Sequence, residues 1–170
     1  MQKPTLYLML GYPGAGKTTV AELLHTLTGA VHLSSDKTRL EMFANPSFSS
    51  QEHDALYQAL DSQTETWLAQ GKSVIYDANL NRYQHRADKY AICERTGAKA
   101  ILLWVQTPKQ LAKERAAHMS RLHLVPDNES PEKMFDRIAA VIEEPTPNEP
   151  FIQLDGTKIT PAYLTQKLHI

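Results

Sequence analysis

A parallel α/β sheet covered on both faces is the architecture this sequence predicts, and three observations predict it. Short apolar runs alternate with segments of helical period from one end of the chain to the other. Several of those runs are too continuously apolar to be strands with one wet face, which suits parallel strands buried on both sides. Glycine or proline stands at the ends of most helical segments, where start and stop signals belong.

The first run, Leu6 to Leu10, predicts a strand, and a helix from Gly16 to Leu27 follows it. Ala30 to Leu33 is the second strand, leading into a helix through Phe43. The segment Gln51 to Gln70 carries Leu56, Leu60 and Trp67 at helical spacing and meets Gly71 as a stop. Ser73 to Tyr76 predicts the third strand, and Arg82 to Arg95 a helix that ends at Gly97. After the fourth strand, Lys99 to Val105, the helix Pro108 to Met119 begins with proline in a first-turn position. A helix from Ser130 to Glu143 opens on Ser-Pro-Glu and closes before Pro145; Phe151 to Leu154 is the last strand, and Pro161 to Leu168 the last helix. The irregular stretches, Asn45 to Ser50, Ser120 to Asn128 and Pro145 to Pro150, read as loops within one domain spanning residues 1–170.

A chain of 170 residues has the length of one domain around one core, and its 42% hydrophobic and 22% charged content is that of a globular protein. Without a long apolar run or a basic-then-apolar leader, it is expected to be soluble and cytoplasmic, with no membrane contact. The single cysteine, Cys93, excludes an internal disulfide and a cysteine zinc cluster, and its place in an amphipathic helix suggests a packing role. With 18 basic and 19 acidic side chains there is no global field for nucleic acid, so a nucleic-acid substrate would need a local basic patch.

Residues 11–18, GYPGAGKT, fit GxxxxGK[ST] between a predicted strand and a predicted helix, the context in which such a loop holds phosphate. Glycine admits backbone conformations closed to other residues. Successive N–H groups can then turn inward on phosphate oxygens while the helix N-terminus adds partial positive charge. Gly11, Gly14, Ala15, Gly16, Lys17, Thr18 and Thr19 are therefore the candidate nucleotide-binding residues. Lys17 would reach the β- and γ-phosphates, and the Thr18 hydroxyl would ligate Mg²⁺.

Loops of this kind serve GTPase switches, ATP-driven machines and small-molecule kinases alike. No Asn-Lys-x-Asp guanine tetrapeptide occurs, and the chain is short for the added helical domain of a ring ATPase, which argues against switches and ring motors. The second run leads into SSDKTR, placing Asp36 and Arg39 one helical turn apart just past a strand's C-terminal end. The third ends in DANLNR, with Asp77 and Asn79. Parallel sheets place their sites at that edge, so three consecutive runs deliver polar groups to one rim.

These residues carry a resemblance. GYPGAGKTT, LSSDKTR and VIYDANLNRYQHR resemble the P-loop kinase group that includes phage-type polynucleotide 5′-kinases, zeta toxins and chloramphenicol phosphotransferase, the polynucleotide kinase domain above all. The tail EEPTPNEPFIQLDGT resembles the end of many short bacterial kinases or ATP-binding proteins. The resemblance implies a P-loop NTPase fold, with a five-stranded parallel sheet in nucleoside-monophosphate-kinase-like order, helices on both faces and a small lid at about residues 115–128. It also implies ATP and Mg²⁺ as cofactors, and γ-phosphoryl transfer to a hydroxyl acceptor: a polynucleotide 5′ end, a small metabolite or a nucleotide-sugar.

In that group the Asp after the second strand acts as base on the acceptor hydroxyl, a role that carries over to Asp36; a carboxylate suits it because it can orient a hydroxyl and take its proton late. Asp36 equally suits the N-cap of the helix through Phe43, and the two roles are compatible. Arg39 maps onto the arginine that holds the acceptor or the transferring phosphate, with a solvated helix-surface arginine as the alternative. Asp77 either holds Mg²⁺ through water, binds the acceptor or closes an Asx turn, and Asn79 is a further substrate contact. Arg82 and Arg86 are as much surface as site. A lid cation must cover the phosphates, and Arg115 and Arg121 both qualify because lids of this group vary in length and arginine spacing. Adenine is expected, by analogy, between the lid helix and the turn DGTK at 155–158. His118 and His123 lack a third zinc ligand, and all seven histidines are read as lid or surface residues. A nucleotide-binding module that regulates a protein partner, itself unknown, is the competing class.

Overall fold

The computed structural model describes residues 3–118 and 125–170. Strands β1 (Thr5–Leu10), β2 (Val31–Ser34), β3 (Val74–Asp77), β4 (Lys99–Gln106) and β5 (Phe151–Asp155) form one all-parallel sheet in the order β2-β3-β1-β4-β5. Each lies within one residue of its predicted bounds. The helices are α1 (Lys17–Thr28), α2 (Ser35–Met42), α3 (Ser50–Ala69), α4 (Tyr83–Thr96), α5 (Lys109–His118), α6 (Pro131–Ala139) and α7 (Pro161–Leu168). Among the described residues no helix is long and apolar enough to cross a membrane.

The alternation of side chains along β1 divides the core into two layers. Leu6, Leu8 and Leu10 pack with Leu56, Leu60 and Leu68 of α3 and with Ile92 and Cys93 of α4. Tyr7 and Met9 point the other way and pack with Val20, Ala21 and Leu24 of α1 and Leu164 of α7. Both faces are covered, as the apolar runs require. Cys93 is one of the packing residues, and burial, with Glu94 adding to it, pushes its thiol up to about 11.

Three expectations are corrected. The N-cap of α2 is Ser34, whose hydroxyl accepts from the Lys37 N–H at 3.4 Å, and not Asp36, which falls inside the first turn. The reason is that β2 runs one residue further than its apolar run, leaving Ser34 in the extended conformation a cap needs. Helix α6 stops at Ala139 rather than Glu143, because the Glu143 N–H donates to the Asn81 carbonyl at 2.7 Å and draws the chain off the helix axis. Arg86 is neither surface nor site: it is fully buried, donates to both carboxylate oxygens of Glu149 at 2.6 and 2.9 Å, and donates to the Leu80 carbonyl at 3.0 Å. Tyr90 completes the cluster with a 2.7 Å bond to Glu149. Burial pushes Glu149 up, but the bonds from Arg86 and Tyr90 more than offset this and hold its carboxyl below the usual range. This cluster anchors the β3–α4 loop from below.

Candidate active site

The β1–α1 loop is shaped by its glycines. Gly16 stands at the N-cap position of α1 with φ 108°, and Gly14 has φ 77°. A side chain on Gly14 would collide with the backbone of α5 at Ala112 and Ala116, so the loop and α5 approach as closely as only glycine permits. Thr107, just past β4, donates to the Ala15 carbonyl at 2.8 Å and fixes the loop from behind. The Lys17 ammonium folds back over the loop, donating to the carbonyls of Gly11 at 2.8 Å and Tyr12 at 2.9 Å.

At the head of α1 the Thr18 hydroxyl lies 3.5 Å from Asp77 Oδ1, at the C-terminal end of β3. The other Asp77 oxygen meets His32 Nε2 at 3.0 Å. His32 sits on β2 opposite Ile75, diagonal to Asp77, which puts its ring against the carboxylate. A hydroxyl and a buried carboxylate converging beside a phosphate loop form a hard oxygen-donor set of the kind Mg²⁺ accepts, with phosphate and water completing its shell.

The strand order separates two flanks around β1. On the β4/β5 flank Arg115 Nη1 donates to the Gly156 carbonyl at 3.1 Å, joining the end of α5 to the turn after β5. That turn is closed by Asp155, which accepts from the Thr157 N–H and hydroxyl at 2.9 and 2.6 Å; these bonds hold its carboxyl below the usual range. On the β2/β3 flank, Asp36 and Arg39 rise on α2. Arg39 Nη1 is paired with Glu52, whose other oxygen accepts from the Ser47 N–H at 2.5 Å and hydroxyl at 2.9 Å. Burial raises Glu52, and the bonds from Ser47 and Arg39 outweigh it, so its carboxyl lies below the usual range. The Arg39 guanidinium lies 5.0 Å from the Phe48 ring centre.

One cleft of about 1330 Å³ runs across both flanks. Gly14, Gly16, Lys17, Thr18, Thr19, Asp36, Arg39, Asp77, Asn79 and Arg115 all line it. Gly11 and Ala15 are buried behind it. Arg121 and His123 lie outside the described residues. Six Lys or Arg side chains and three Asp or Glu side chains line the cleft, in a chain of net charge −1. Positive charge is thus concentrated where a polyanion would sit.

The reading of the histidines as lid or surface residues is corrected for two of them: the His32 ring is almost buried beside Asp77, and His85 is half-buried in the cleft wall, whereas His53 lines the cleft as an exposed residue. Glu52 and Arg137 belong to the site region as well, and no motif marked them; Asn81, inside the DANLNR stretch, joins them in the cleft wall.

A family model described as an AAA domain matches residues 6–145, from the start of β1 to beyond α6. The chain belongs to the AAA domain family. This AAA domain chain superposes on solved kinases over nearly its whole length. A sugar kinase from Janibacter sp. HTCC2649 gives a TM-score of 0.70 at 18% identity, covering 99% of this chain and 96% of that one. A gluconokinase from Sinorhizobium meliloti 1021 gives 0.67 at 14%, covering 98% and 90%. The APS kinase CysC of Mycobacterium tuberculosis, in complex with AMPPNP and APS, gives 0.67 at 16%, covering 99% and 97%. At these identities the likeness is one of fold, the α/β fold of P-loop NTPase kinases. A search of the curated proteins gives no significant match.

Proposed function

We propose that this AAA domain protein is a cytoplasmic ATP- and Mg²⁺-dependent kinase that transfers the γ-phosphoryl group of ATP to a hydroxyl acceptor. The observation that carries the reading is that one cleft holds Lys17 and the Thr18–Asp77 pair at the phosphate loop and, further out on the β2/β3 flank, Asp36 beside Arg39. A nucleotide-binding module would need only the first set.

In this reading the phosphate loop and Lys17 hold the nucleotide phosphates, and adenine lies on the β4/β5 flank near Arg115 and the Gly156 turn. Thr18, with Asp77 directly or through water, would hold Mg²⁺, which would supply neutralisation of the phosphate charge. Asp36 orients the acceptor hydroxyl and takes its proton as the new O–P bond forms and the β,γ-bridging bond breaks, releasing ADP. Arg39, its guanidinium oriented by Glu52, holds the acceptor or the migrating phosphoryl group, Asn79 touches the acceptor, and Arg115 or Arg121 covers the phosphates from the lid at about residues 115–128. The activities of the superposable kinases support the reaction class, and the motif likeness to polynucleotide 5′-kinases, zeta toxins and chloramphenicol phosphotransferase supports a hydroxyl as the acceptor group.

The test is ADP release from ATP and Mg²⁺ across a panel of 5′-hydroxyl oligonucleotides, nucleosides, sugars and nucleotide-sugars. Stimulation by one acceptor class that disappears in Asp36→Asn is the expected result. A slow background that no acceptor accelerates and the substitution leaves unchanged would favour a nucleotide-binding module.

A further inference from the structure

The β2/β3 flank is poorer in available positive charge than its residue names suggest. The charge of Arg39 is matched by Glu52 in a buried pair. Partial burial, with Arg39 adding to it, holds the His53 imidazole below the usual histidine range, and burial with Lys89 does the same for His85, which disfavours the charged form of both rings. Among the described residues on this flank of the cleft, Arg82 is the arginine with no carboxylate within ion-pair distance.

Two polar atoms in the same wall have no hydrogen-bond partner among the described residues: Asn81 Oδ1 and His85 Nδ1. Asn81 is 7% exposed, and its backbone carbonyl is already engaged by Glu143. A buried polar atom left without a partner is destabilising, and a native structure retains one where something else supplies the bond. The same cleft is lined by an aromatic surface, the His53 and Tyr57 rings with centroids 4.4 Å apart, and by Phe48, whose backbone has a left-handed φ of 56°. Such φ values in bulky residues mark positions that the surrounding structure holds against strain.

Resting on the kinase reading, we infer that this flank is the acceptor subsite and that it takes a small, uncharged, polyhydroxylated molecule. One hydroxyl is presented to Asp36, others bond Asn81 Oδ1 and His85 Nδ1, and its apolar face lies on His53 and Tyr57. A polynucleotide end or a phosphorylated acceptor would instead call for a track of unmatched cations along this wall, where the charge of Arg39 is already taken up by Glu52.

The experiment measures ADP release at saturating ATP with two acceptor sets, uncharged sugars and polyols against 5′-hydroxyl oligonucleotides and nucleoside monophosphates. Wild type is compared with Asn81→Leu and His85→Phe, and ATP affinity is followed separately by equilibrium binding. Stimulation by a member of the first set, with its KM raised about three- to tenfold in each variant and ATP affinity unchanged, is the predicted outcome. Stimulation confined to the charged set, or a polyol KM unmoved in both variants, would overturn the subsite while leaving the kinase standing. Intact ATP binding with no stimulation by either set would overturn both.

Discussion

The two flanks of the cleft are built from different material. The phosphate side is backbone: a contiguous loop whose glycines let Gly14 touch α5 and whose Ala15 carbonyl is pinned by Thr107. The proposed acceptor side is side chains drawn from α2, α3 and the β3–α4 loop, and their properties depend on partners distant in sequence. Arg39 is defined by Glu52 and the β3–α4 loop is supported by Arg86, itself defined by Glu149. A backbone cradle suits any nucleoside triphosphate, whereas a side-chain wall can change its ligand through single substitutions. The difference teaches that nucleotide binding and acceptor choice should respond separately to mutation.

The largest expected separation comes from Asp36→Asn, which should lower turnover by about 10²–10⁴ while leaving ATP affinity nearly intact, as steady-state kinetics and nucleotide binding will show. A comparable loss of ATP affinity would break the comparison. Next is Arg86→Met, which leaves Glu149 buried without its cation and should cost about 3–5 kcal/mol in chemical denaturation. A milder effect on the phosphate side is expected from Gly14→Ala, where φ 77° and the backbone of α5 both oppose a Cβ. Its ATP affinity should fall about tenfold or more, measured by titration, with the acceptor KM little changed.

A smaller effect is the acid limb of stability. Folded Glu52 keeps its charge to lower pH than an ordinary glutamate near 4.5, so the unfolded chain binds more protons in that window. Its contribution is complete above pH 4.5 and is lost as pH falls towards and past the depressed folded value. Thermal melts of wild type and Glu52→Gln should therefore converge at low pH and differ at pH 7.

What could be read from sequence follows the same division. The phosphate loop occupies eight consecutive residues, and the strands declare themselves as continuous apolar runs, so both were legible. Strand order was not, because nothing local says which strand lies beside β1; it came from the resemblance to P-loop kinases. In SSD at 34–36 three adjacent residues can each cap a helix, and only the length of β2 selects Ser34. Asp36, Arg39 and Asp77 were legible by their place at strand ends. Glu52 and Glu149 were not, since a charge 13 or 63 residues from its partner leaves no pattern. His32 and His85 resemble any polar residue until their burial reveals them.

The most direct measurement of the central claim is the fate of the γ-phosphoryl group. ATP labelled in that group is incubated with Mg²⁺, the protein and the acceptor that most accelerates ADP release, for wild type and Asp36→Asn. The label appearing covalently on an acceptor hydroxyl in step with ADP, and failing to do so with the variant, is the predicted result. Label recovered only as inorganic phosphate, at equal rates in both proteins, would contradict the account.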